Sequence, residues 1–333
     1  MFFKLAISIF LLFSLDILAE YKNTDGKELN KSFRDLLEWQ RNKSEPIISF
    51  IDLSEDWKKF DLKEMDNYFI WIGHSTFLIK KNGITILTDP IFSDRASPFK
   101  NIGPQRLIPP ALYLKDIPHI DYVTVSHNHY DHLDINSLKK ISKLHPKAIF
   151  LVPAGDLKLL KRKKIRNVYE FNWWEKFEAE NIKFTFTPVQ HWSIRGLFDR
   201  NKSLWGGWYI KYTDYSIYHA GDTGYSNDFI TTKERLGSPK YAFIPIGAYD
   251  PEWFMARGHV NPEDAVKIMI DLEAEQAFGM HWGTFVLTDE DTLEPPQRLK
   301  KAVSNSNNIK FKSLIPGEAV SYTHLTLPTK NEV

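Results

Sequence analysis

The run SHNHYDHLD, residues 126–134, holds three histidines and two aspartates in nine positions. Within it His127, His129, Asp131 and His132 form the pattern H-x-H-x-D-H. At the end of an extended strand alternate side chains point the same way, so His127 and His129 can grip one ion together. Asp131 and His132 then turn away and can serve a second ion nearby. Imidazole and carboxylate donors suit Zn²⁺, Fe or Mn²⁺, and open coordination positions suit catalysis. A lone histidine usually satisfies a core or surface hydrogen bond; here the spacing carries the metal reading.

Two metals need more ligands. His191 in TPVQHWS, Asp222 in HAGDTGY and His281 in GMHWGT each follow an expected strand. Singly, each reads as an ordinary polar strand-end residue. Jointly they complete a two-metal set at strand C-terminal ends, where functional residues gather in layered proteins. A water shared by two such cations loses its proton near neutral pH, so no serine or cysteine nucleophile is required.

These residues must be held by strands. Short β-rich runs at Tyr68–Ile72, Thr76–Ile79 and Thr85–Leu87, separated by glycine-containing turns, predict three of them. Further strands are predicted at Tyr122–Val125, Ala148–Val152, Lys183–Thr187, Trp208–Lys211, Ile217–Ala220, Tyr241–Ile246 and Ala277–Met280. Helices are predicted over 135–144 and from about Pro262 to Leu272. Strands in runs, followed by strands alternating with helices, predict sheets covered by helices.

The 333 residues suit one catalytic domain, here placed at 67–319 after a charged lead-in over 20–66. Hydrophobic residues at 43% and charged residues at 26% describe a globular chain. A net charge of +1 argues against nucleic acid as a partner. The absence of cysteine excludes disulfides and thiolate-ligated metals, leaving His, Asp and Glu as ligands. Residues 1–19 read as a signal peptide, with Lys4 ahead of the apolar run Leu5–Leu15 and Ala19 before a cut. The expected location is therefore exported, periplasmic or membrane-associated in a bacterium, with an uncleaved anchor as the alternative. Residues 320–333 read as an artefactual tail, so His324 is excluded from any site. The basic run Lys158–Arg166 reads as a solvated helix face.

The segments DPIFSDRASPF, SHNHYDHLD, AGDTGY, IPIGAYDPEWFM, GHVNPEDAV and MHWGTFVLTDE together resemble the metallo-β-lactamase superfamily. Within it they are most similar to phospholipases D that hydrolyse N-acyl-phosphatidylethanolamine and to their bacterial relatives, from roughly Phe69 to Leu287. The resemblance implies an α/β (α+β) fold, a four-layer αββα sandwich. It implies one metal on His127, His129 and His191, another on Asp131, His132 and His281, and Asp222 between them. Two Zn²⁺ are expected, with Fe or Mn as alternatives. The implied activity is a phosphodiester cut that releases N-acylethanolamine from a phospholipid, with Asp131, Asp222 and His259 in catalytic roles. Hydrolysis of lactones or smaller phosphodiesters on the same scaffold is the alternative, and a non-catalytic metal-binding envelope protein a further one. The expected partner is a phospholipid or other small-molecule substrate. Peripheral membrane contact and oligomeric state stay open.

Two more histidines stand near these motifs. His259 precedes a helix start marked by Asn261, Pro262, Glu263 and Asp264. It reads equally as a helix-entry residue or as a group touching phosphate or leaving group. His74 in IGHSTF is expected to orient ligands rather than to react. His119, His145 and His219 are left as ordinary residues. Tyr249, Trp253, Phe254 and Met255 are expected to pack in the core, with an acyl groove as the other reading.

Overall fold

Tyr68–Gly73 (β1), Thr76–Lys81 (β2) and Ile84–Thr88 (β3) form an antiparallel meander. Their sequence is apolar on both faces, as a strand between two packed layers requires. Phe69, Trp71, Phe77 and Ile79 enter one core, while Tyr68, Ile70, Ile72 and Leu78 enter another. The chain then turns parallel through Tyr122–Thr124 (β4), Ile149–Pro153 (β5) and Val168–Phe171 (β6). Ala319–Ser321 (β14) pairs antiparallel with β1, giving a sheet ordered β14-β1-β2-β3-β4-β5-β6.

The second sheet repeats this plan. Lys176–Ala179 (β7), Ile182–Thr187 (β8), Gly207–Tyr212 (β9) and Ser216–His219 (β10) are antiparallel. Tyr241–Pro245 (β11), Gln276–Met280 (β12) and Phe311–Ser313 (β13) continue parallel. The order is β13-β12-β11-β10-β9-β8-β7. This computed structural model describes residues 21–321 apart from 30, 180 and 307. The leader expected at 1–19 and residues 322–333 of the expected tail lie outside them, while Val320 and Ser321, also assigned to that tail, pair with Phe69 and Tyr68 in β14.

Aromatic side chains join the two sheets. Phe77 stacks on Phe243 with ring centres 3.9 Å apart, and Phe69 meets Phe243 at 5.1 Å and Phe278 at 4.8 Å. Such pairs add about 0.5–1.5 kcal/mol each beyond the area they bury. Helices Ile135–Leu144 (α2) and Leu157–Arg162 (α3) carry the parallel crossovers of the first sheet. Their Leu138, Ile141 and Leu160 pack with Ile70, Ile72 and Leu87 on its outer face. Asp228–Leu236 (α4), Pro262–Asp271 (α6) and Glu294–Ser304 (α7) serve the second sheet. The architecture is helix, sheet, sheet, helix: the α+β four-layer sandwich expected from the sequence. Asn261 caps α6, its Oδ1 accepting from Asp264 N at 2.8 Å, with Pro262 at the first helical position.

The lead-in is stitched to this body. Tyr21 N donates to Asn201 O, and Asn23 Oδ1 accepts from His191 N and Trp205 Nε1 at 3.0 Å each. Helix Phe33–Asn42 (α1), opened by a Ser32–Asp35 capping box, packs Leu36 and Trp39 on Phe254 and Met255 of the short helix Glu252–Met255 (α5). Trp39 Nε1 then donates to Asp289, and Ile47 N to Asp291. Tyr249, Phe254 and Met255 are buried as expected, whereas Trp253 is exposed. Among the described residues no helix is long and apolar enough to cross a membrane.

Candidate metal centre

Strands that run the same way in a sheet end on the same side, and their C-terminal loops meet along one rim of the sandwich. β4 delivers His127–His132, β8 delivers His191, β10 delivers Asp222 and β12 delivers His281. The ligand-capable atoms of His127, His129, His191 and Asp222 all lie within 4.8 Å of one another, as do those of His74, Asp131, His132 and His281. Asp222 joins the two groups. Its Oδ2 lies 3.8 Å from His127 Nε2, 3.9 Å from His191 Nε2 and 3.2 Å from His132 Nε2, while Oδ1 lies 3.1 Å from His281 Nε2. Asp131 Oδ2 faces His132 and His281 at 3.4 and 3.3 Å. The structure thus brings together all seven residues expected as ligands, and places His259 beside them, its Nδ1 3.8 Å from Asp222.

The electrostatics fit cations. His129 Nε2, His132 Nε2, His281 Nε2, His259 Nδ1 and Asp222 Oδ1 are buried without hydrogen-bond partners. Imidazole nitrogens of His127 and His129 face each other at 2.9 Å. Burial, then the charges of neighbouring histidines, holds His127 and His129 well below the usual histidine range. Burial also lowers His191 to about 4. Burial opposes ionisation of Asp131 and Asp222, but the His132 imidazolium outweighs it and holds both well below the carboxylate range. Conversely, burial disfavours charge on His132 and His281, yet the two carboxylates raise His132 well above normal and His281 to about 9. Neutral imidazoles around ionised carboxylates form a cation receptor, and the protons on His132 and His281 must leave as metal arrives. Metal loading should therefore raise the melting temperature and chelation lower it. At free metal about 1,000 times Kd the gain is about 4 kcal/mol, on the order of 10 °C for a domain this size. A melting temperature indifferent to zinc, iron and manganese would count against the centre.

The ligands are oriented from behind. His132 Nδ1 pairs with Asp89 Oδ2 at 2.8 Å, and His191 Nδ1 donates to Gly258 O at 2.8 Å. Ser126 Oγ contacts His127 Nδ1 at 2.9 Å and donates to Asp89 at 2.6 Å, so one carboxylate serves two histidines. Such partners fix which ring nitrogen faces a metal. Arg195 clamps the motif's turn by donating to Asn128 O at 2.7 Å and Leu133 O at 2.8 Å, while its guanidinium stacks on Tyr130 at 4.1 Å. His74 Nε2 contacts Asp131 Oδ2 at 2.9 Å, and its backbone carbonyl accepts from His281 N at 3.0 Å. His74, Asp89 and His281 adopt φ of 53°, 34° and 66°, a costly conformation of about 1–3 kcal/mol each that gathers at functional sites. Gly221 has φ 65°, and a Cβ there would lie 2.6 Å from that of Ser126, so the glycine of AGD lets Asp222 approach the motif.

Asp89 and Arg195 were not singled out from the sequence. Asp89 opens the loop after β3, a strand-end position of the same kind as the ligands, which is the signal that marks it. Arg195 carries no such signal, because its role is to bind carbonyls 62 and 67 residues away. His219 donates to Ser75 O at 3.0 Å, and His119 and His145 face each other at 5.9 Å, outside the centre.

Comparisons place these features in a lineage. Residues 85–282 match the beta-lactamase superfamily domain. The chain is 39% identical over 256 residues to N-acyl-phosphatidylethanolamine-hydrolyzing phospholipase D 1 of Caenorhabditis elegans, covering 74% of this chain and 72% of that one. It is 42% identical over 241 residues to the mitochondrial N-acyl-phosphatidylethanolamine-hydrolyzing phospholipase D of Saccharomyces cerevisiae, covering 70% of this chain and 51%, about half, of the yeast protein. Its fold is similar to that of a metallo hydrolase from the archaeon Ignicoccus hospitalis, with a TM-score of 0.59, 23% identity, and coverage of 78% of this chain and 99% of that one. The chain belongs to the metallo-β-lactamase superfamily as one of its metal-dependent hydrolases, in kinship with the phospholipases D that hydrolyse N-acyl-phosphatidylethanolamine.

Proposed function

We propose that this hydrolase is a dinuclear, zinc-dependent phosphodiesterase of the phospholipase D type. Its substrate is N-acyl-phosphatidylethanolamine or a related phospholipid, and its products are N-acylethanolamine and phosphatidic acid. The observation that carries this reading is the 39% identity, across most of both chains, to a relative bearing that activity in its name. The sharing of Asp222 between two groups of ligand-capable atoms supports the dinuclear part.

His127, His129 and His191 would hold one cation, Asp131, His132 and His281 the other, with Asp222 between them. Bound there, the cations would supply Lewis-acid stabilisation of phosphoryl oxygens and activation of water. The chain's own residues set up the reaction. Asp89 and Gly258 keep the Nδ1 protons of His132 and His191 pointing away from the centre, so that each Nε2 presents a lone pair. His259, neutral because burial holds it well below the usual range, turns an unpaired Nδ1 to the same space. It is suited to a hydrogen bond with a phosphoryl or leaving oxygen. Trp282, Phe285 and Leu287 share a small cleft beside His281 with Thr288, Glu290 and Asp291, so its lining is mixed in polarity.

The test is a paired measurement on one preparation. Elemental analysis should find about two metal ions per chain, and mixed micelles should yield N-acylethanolamine in a chelator-sensitive manner. Metal without release would move the substrate to lactones or small phosphodiesters. Neither metal nor release after reconstitution would remove the reading.

A further inference from the structure

Two cationic side chains approach the centre on the side of His191 and His259. Lys31 comes from the lead-in, outside the segment that matches the superfamily domain. Its Nζ lies 3.9 Å above the Phe254 ring and 3.4 Å from Met255 Sδ. Among the described residues no carboxylate forms an ion pair with it. Met255 O in turn accepts from His259 N at 3.0 Å, so Lys31 rests on the turn that presents His259. Arg200 stacks on Trp192 at 4.4 Å, and Trp192 meets the His129 ring edge-on at 4.6 Å. Arg200 also donates to Leu29 O, two residues before Lys31, which ties the two cations to one place. Its Nε is buried and unpartnered. Glu28, which lies near Arg200, is engaged by Lys22 at 3.6 Å, and Arg257 is engaged by Asp25 at 3.4 Å.

We propose that Lys31 and Arg200 form an anion-binding pair at the mouth of the metal centre, and that the pair takes a phosphate oxyanion. Two half-buried cations on aromatic faces, one without an acid and one with a buried unpaired N–H, are costly unless a ligand completes them. Burial, and then the charge of Arg200, pulls Lys31 down to about 7, so an incoming anion repays its ionisation. Arginine supplies directional N–H donors and lysine a point charge, a combination that suits phosphate. That the phosphate belongs to a phospholipid rests on the function proposed above; the pair itself does not.

The experiment is calorimetric titration of the metal-loaded full chain with inorganic phosphate. Lys31→Met and Arg200→Gln should each weaken phosphate binding about tenfold, while Lys31→Arg retains most of it. Metal content should stay at the wild-type value, and circular dichroism should show the fold intact. Unchanged phosphate affinity in both loss variants overturns the pair. So does a loss shared equally by Lys31→Arg, or one accompanied by loss of metal, since either assigns the effect to packing or to the metals. Micellar N-acyl-phosphatidylethanolamine separates the two ideas. A raised KM with kcat maintained in the same variants makes the phosphate that of the lipid. No release by wild type, with phosphate binding still dependent on Lys31, keeps the pair and removes the lipid substrate. Normal release with no dependence on Lys31 does the reverse.

Discussion

Asp222→Asn is expected to reduce turnover about a thousandfold or more, equivalent to roughly 4 kcal/mol, and to lower metal content with it. Asparagine keeps the volume but offers one neutral oxygen where the carboxylate now faces His127, His132, His191, His259 and His281 within 4 Å. It removes the charge that both halves of the centre share. His127→Ala should act the same way by deleting one donor and leaving Ser126 and His129 without their ring partner. Both variants should fold, because the aromatic core between the sheets does not pass through either residue. Circular dichroism and metal analysis on the same samples check this. Full activity with full metal in both variants would refute the assignment.

Asp89 is expected to matter nearly as much although it touches no substrate. Its buried carboxylate accepts from Ser126 N at 2.7 Å and Ser126 Oγ at 2.6 Å and pairs with His132 Nδ1 at 2.8 Å. Asp89→Ala strands these donors away from water, at about 1–3 kcal/mol each, so a stability loss of roughly 3 kcal/mol or more is expected in chemical denaturation. Asp89→Asn is the sharper test. It retains the shape but places an amide N–H₂ where a carboxylate oxygen oriented the ring, and metal affinity should fall about 10- to 100-fold. Competition with a chelator of known strength measures it. Wild-type affinity in Asp89→Asn would mean that His132 is oriented by packing alone.

Strands buried on both faces, such as β1 with YFIWIG, were legible because nothing but a core tolerates six such residues in a row. Helix α6 was legible from chemistry alone, since Asn261 and Pro262 mark a start whatever surrounds them. The edge strands β6 and β7 were not, because VYEF and KFEA place exposed and charged residues where only neighbouring backbone makes them strands. The helices α4 and α7 were harder to read because each has few large apolar positions, and α7 opens on two consecutive prolines. In the centre, the ligand types and their strand-end settings were readable. The orienting residues were less so, since Asp89 gains meaning only when the His132 ring, and His74 only when the Asp131 carboxylate, comes within 3 Å. Lys31 was invisible, because a lysine in a charged lead-in declares nothing until the chain folds back over His259.

The pairing of β14 with β1 joins Ser321 to Tyr68. The first sheet therefore stays open along one edge until residues 319–321, far downstream of β1, have been made. At roughly 5–20 residues per second, that wait is on the order of 10–50 s. An unpaired edge of an apolar strand is a template for other chains. The nascent protein thus has all its ligand residues made before its sandwich is sealed, with that edge of β1 unpaired in the interval. β14 acts as a latch, and a chain cut short of Ala319 would leave that latch open for as long as it survives.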